Sequence, residues 1–121
     1  MRLVSYGAFG VERAGIEVGG SIVDLEEAMQ AAGAEKPVSD MRLFLEQPEW
    51  RALVDRCFAA QGKVKPIDAT SVRLGAPVPV PRTLIIAGAN TKSHIAEAGA
   101  VLGEAAPPRE PMLLAKATSS L

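Results

Sequence analysis

Apolar positions in the first third of the chain recur with a period of two. Leu3-Val4-Ser5-Tyr6 predicts a strand, and Val11 to Glu17 and Ser21 to Leu25 predict two more. Val18-Gly19-Gly20 lies between the last two, and glycine's tolerance of positive φ makes it a hairpin signal. The expected result is a small antiparallel sheet. Asp24 followed by Glu27 has the spacing of a capping box, so a short helix is expected from Leu25 to Ala32, ended by Gly33. After a loop at 33–40, Asp40 or Ser39 can cap a turn holding Met41, Phe44 and Leu45.

The period then becomes helical. Trp50, Leu53, Val54, Cys57 and Phe58 fall at i, i+3, i+4, i+7 and i+8, which predicts one apolar face packed on the sheet. Pro48 and Glu49 suit the first turn of that helix and Gly62 its close, because a proline there lacks only an amide hydrogen that would be unpaired anyway. From Gly62 the chain turns to Lys, Pro and short β-like pieces. Pro77-Val78-Pro79-Val80-Pro81 lacks the donors of a central strand and reads as extended connector. An apolar run then leads to Gly88, a loop with three prolines covers Ala100 to Pro111, and Met112 to Lys116 reads as a strand.

Composition narrows the class. The 121 residues are 48% hydrophobic but only 4% aromatic, so the core is expected to be built of Ala, Val, Leu and Ile. A formal charge of -1, with no basic patch, argues against a nucleic-acid or anionic-membrane partner. No run approaches transmembrane length and the N-terminus lacks the apolar core of a signal peptide, which makes a cytoplasmic protein the expectation. Cys57 is the single cysteine, and its apolar helical neighbours mark it as a core residue rather than a nucleophile.

Candidate chemistry gathers around the single histidine. The run Leu84 to Gly99 carries His94 and Glu97 three positions apart. If the segment is helical, the two side chains share a face one turn apart, a base beside a carboxylate able to orient it. The same spacing also describes a solvated surface pair.

The surrounding residues add to this. Gly88-Ala89-Asn90-Thr91-Lys92-Ser93-His94-Ile95-Ala96-Glu97 resembles the Gly-x-Asn-Tyr-x-x-His-x-x-Glu segment of the fumarylacetoacetate hydrolase family. Pro111 to Leu121 is similar to that family's Pro-x-x-Phe-x-Lys-x-x-Ser-Ser-Leu block, and the opening fits the small N-terminal domain of many bacterial members. Thr91 stands where the family usually has Tyr, and Leu114 or Ala115 where it has Phe.

The resemblance implies an α+β architecture: a small N-terminal α+β domain over residues 1–72, a Pro-rich connector over 73–83, and over 84–121 the start of a mixed β-roll catalytic domain, cut short at Leu121. It implies an enzyme acting on small 2-keto or 1,3-dicarbonyl acids by C–C bond hydrolysis, decarboxylation, hydration or isomerisation. Its catalytic residues would be His94 as base, Glu97 as its orienting carboxylate and Lys116 as a fixed positive charge. Asn90, Thr91 and Ser119 would contact substrate, although Asn90 is by type a turn and cap former. A Mg²⁺ or Mn²⁺ ion is implied too, with three carboxylate ligands expected downstream of Leu121 and none in this chain. These 121 residues alone are accordingly expected to be inactive, and the full-length protein to be a homodimer. The competing expectation, from another class, is a non-catalytic binding or assembly module.

Overall fold

The computed structural model describes residues 1–88, 91–102 and 112–118. The architecture is α+β with antiparallel sheets, and it divides into two compact units, Met1–Val80 and Pro81–Leu121.

In the first unit, β1 (Arg2–Tyr6), β2 (Arg13–Val18), β3 (Ser21–Asp24) and the short β4 (Ile67–Asp68) form one sheet in sequential order, every neighbour antiparallel. Gly19 and Gly20 have φ of 56° and 84°. Two consecutive left-handed residues make the tight turn whose twist matches the flanking strands, and they set the register Val18↔Ser21. Both sheet faces are covered. Ala14, Ile16 and Val23 face one core with the helices, while Val4, Tyr6 and Ile22 form a second cluster under Ile67, Ala69 and Val72.

Helix α1 (Leu25–Ala31) starts where the sequence places it, the Asp24 carboxylate accepting the Glu27 amide at 3.1 Å. It ends in a Schellman motif: Gly33, at φ 72°, donates to the Gln30 carbonyl at 3.0 Å, and Ala34 donates to that of Met29 at 2.9 Å. Of the two caps open for α2 (Met41–Leu45), Asp40 is used, accepting from the Leu43 amide at 2.9 Å.

Helix α3 (Trp50–Ala60) buries Leu53, Val54, Cys57 and Ala60. Its main partner is α1, and the sheet enters the same core through Ala14, Ile16 and Val23. Phe58, counted in the apolar stripe, lies at the margin and is 37% exposed. Gly62 does not close the helix with a left-handed turn; the backbone tightens into a 3₁₀ turn over Gln61–Lys63 instead. Burial pushes the Cys57 thiol above its ordinary range, consistent with an inert core residue.

The Pro-rich stretch packs on this unit. Arg73 and Leu74 run beside the end of β1, with Gly7 donating to the Arg73 carbonyl at 2.9 Å and Gly75 to that of Ser5 at 2.8 Å. The buried Ser5 hydroxyl donates to the Pro77 carbonyl at 2.9 Å, and Val78 rests on the main core.

The second unit holds β5 (Leu84–Gly88) and β6 (Met112–Lys116), an antiparallel ribbon registered from Leu84↔Lys116 to Gly88↔Met112, and helix α4 (Lys92–Leu102). No described helix is long and apolar enough to cross a membrane.

Candidate active site

Helix α4 carries the two residues singled out by spacing. It begins at Thr91, whose carbonyl accepts the Ile95 amide at 3.0 Å, the first rung of the helical ladder. The Thr91 hydroxyl turns back on the same turn: Oγ1 accepts from the His94 amide at 3.4 Å and lies 3.3 Å from Ser93 Oγ. A threonine directly before a helix, its oxygen on the third amide, is in the N-cap arrangement. Thr91 therefore caps α4.

From that start, His94 and Glu97 emerge on one face. His94 Nδ1 and Glu97 Oε2 are 3.9 Å apart, with side chains 61% and 79% exposed. At that separation the two groups are close neighbours rather than hydrogen-bonded partners. A rotamer change within one turn suffices to close it, since i, i+3 side chains are neighbours on a helix.

Lys116 ends β6, exposed, opposite Leu84. That row is four pairs from Gly88↔Met112, about 14 Å along a strand that rises ~3.4 Å per residue. Among the described residues no hydrogen bond or ion pair joins Lys116 to His94 or Glu97. Asn90 and Ser119, expected to contact substrate, lie outside the described residues. The arrangement on α4 is thus a solvated imidazole with a carboxylate at hand, a pair able to exchange protons with water.

Sequence reasoning missed a polar network in the first unit. Asp24, assigned only a capping role, is 3% exposed and accepts from Tyr6 Oη at 2.5 Å, Arg13 Nε at 2.7 Å, Arg13 Nη2 at 3.0 Å and the Glu27 amide. Burial alone would push its carboxyl up, but the bonds from Arg13, Tyr6 and Glu27 outweigh it and hold it below the usual carboxylate range. Arg13 also reaches Glu26 at 3.0 Å. With its acceptor sites filled, this cluster is structural. No local signal pointed to it, because it depends on the pairing of β2 with β3, whose register puts Gly15 opposite Asp24.

No family model matches the chain, and no curated protein matches it. Among solved structures the chain is similar to the maleylpyruvate hydrolase from Sphingobium sp. SYK-6, with a TM-score of 0.50 and 26% identity over 70% of this chain. The chain spans 31% of the length of that protein.

Proposed function

We propose that this chain is the N-terminal part of an enzyme of the fumarylacetoacetate hydrolase family that acts on a small 2-keto or 1,3-dicarbonyl acid. The observation that carries the reading is the likeness to a maleylpyruvate hydrolase over 70% of the chain. The match of Gly88 to Glu97 and of Pro111 to Leu121 to the family's two blocks supports it. The reaction is C–C bond hydrolysis or one of its relatives, decarboxylation, hydration or isomerisation, and the working protein is a cytoplasmic homodimer.

In this reading Glu97 accepts one imidazole N–H, which fixes the tautomer and raises the basicity of His94. The other ring nitrogen takes a proton from water as the water attacks the substrate carbonyl. Lys116 offers its charge to the substrate carboxylate or to the oxyanion that forms, and Asn90 and Ser119 contact the substrate. A divalent ion such as Mg²⁺ or Mn²⁺ belongs to this chemistry as a Lewis acid. Among the described residues no three of His, Cys, Asp and Glu come together to hold one. The described residues therefore do not supply its ligands, and no step above runs through it.

The test uses the complete gene product that carries this chain, assayed with Mg²⁺ or Mn²⁺ on maleylpyruvate, acylpyruvates and oxaloacetate. His94→Ala should lower kcat by about 10²–10⁴, the range of a lost general base, and should abolish the acidic limb of the pH profile. Glu97→Gln should lower kcat too, and the double variant should be little worse than His94→Ala, because groups acting as one unit give non-additive losses. Additive losses, an acidic limb that survives in His94→Ala, or no turnover across the panel would each sink the reading.

A further inference from the structure

We infer that Thr91 is a positioning residue for His94, holding the base through its backbone, in place of the substrate contact that the family resemblance implies for it. The inference rests on the functional reading of His94 given above.

The geometry carries it. The third amide of a helix is one of the donors that has no partner within the helix. In α4 that amide belongs to His94 itself, and Thr91 Oγ1 is its acceptor at 3.4 Å. The same residue's carbonyl takes the Ile95 amide at 3.0 Å, so Thr91 fixes the backbone on both sides of the imidazole-bearing Cα. With Ser93 Oγ at 3.3 Å as its further neighbour, the hydroxyl is engaged along the helix start.

The consequence is mechanical. His94 is 61% exposed and its partner Glu97 stands 3.9 Å away, so burial of these side chains does not aim the imidazole. What sets the direction of its Cα–Cβ bond is the first turn of α4, and that turn depends on its cap. A base that must meet water and substrate within a few tenths of an ångström loses rate when its turn frays, whereas substrate affinity, set elsewhere, stays as it was. Tyrosine, usual at this position in the family, has no oxygen at Cβ to close this bond.

Thr91→Val is nearly isosteric and removes only the acceptor, while Thr91→Ser keeps it. In the complete gene product Thr91→Val should lower kcat about fivefold with KM unchanged, the factor that an average cap corresponds to. Hydrogen exchange at the His94 amide, followed by NMR in the 121-residue chain, should speed up by a similar factor, while amides of α3 exchange as before. Thr91→Ser should restore both. A rise in KM with kcat and His94 exchange unchanged would overturn the inference and make Thr91 a substrate contact. A Thr91→Ser variant as impaired as Thr91→Val would also overturn it. His94→Ala separates the two levels: if it leaves kcat intact, the functional reading itself fails and the positioning role with it. If it abolishes turnover while Thr91→Val is silent, only the inference about Thr91 fails.

Discussion

Tyr6 is the single tyrosine, and its phenol is pushed up to about 12, first by burial and then by its hydrogen bond to the Asp24 carboxylate and that group's charge, with Arg13 opposing. An acid whose folded pKa is raised contributes stability that is fully present below its ordinary value near 10. That stability is lost as pH rises toward and through the folded value. Tyrosinate absorbance of the folded protein should therefore titrate near 12, with the urea midpoint falling between pH 10 and 12. Asp24→Asn should bring the titration part of the way back toward 10, burial remaining. A wild-type midpoint at 10 would show that the phenol is solvated. In the sequence Asp24 was legible as a helix cap because capping is local, with donor and acceptor three residues apart. Its bonds to Tyr6 and Arg13 were not, since they depend on which strands pair and in which register.

At the scale of elements, the period-two runs led to β1–β3 and the helical stripe to α3 because each buries a face that repeats along the chain, while α1 was legible from its capping box and closing glycine. Three features carry no such repeat. One is the two-residue β4, another the 3₁₀ close of α3, and the third is Gly15 in the middle of β2. A Cβ built on Gly15 would stand 2.6 Å from Ile22 Cγ2 and 3.0 Å from Tyr6 Cε1, so its bare backbone makes room for the tyrosine ring to cross the sheet. Gly15→Ala should cost about 1–3 kcal/mol by overpacking, in spite of alanine's better fit to ordered backbone. Leu53→Ala, at a site 4% exposed in the α1–α3 core, should cost about 2–5 kcal/mol by leaving a cavity. Both are read as shifts of a denaturant midpoint. A neutral Gly15→Ala would mean that Ile22 and the Tyr6 ring move aside freely, and a neutral Leu53→Ala that the stripe is not core.

For the whole molecule, the candidate site and the main core belong to different units, and this explains why they were legible by different routes. The core could be read from periodicity, since residues 3–78 carry enough alternating and helical apolar positions to close it. The site on α4 could not. His94 and Glu97 are exposed, Lys116 ends a strand, and none of the three belongs to an apolar pattern. Only spacing and family resemblance pointed to them. The two clusters of buried residues lie wholly within Met1–Val80, as do the caps of α1 and α2 and the bonds that fasten residues 73–78 to β1. Residues 1–80 alone should therefore fold cooperatively. Trp50, the single tryptophan, sits against Phe44 with ring centroids 6.4 Å apart and reports on that core by fluorescence. Its urea transition should give a stability within about 10–15% of that of the 121-residue chain, the uncertainty of the extrapolation. Ending at residue 72 should cost more, because it removes the Gly75 amide from the Ser5 carbonyl, the Pro77 carbonyl from the Ser5 hydroxyl and Val78 from the core. If residues 1–72 and 1–80 unfold at the same midpoint, the Pro-rich stretch is a mere connector and the first unit ends before it.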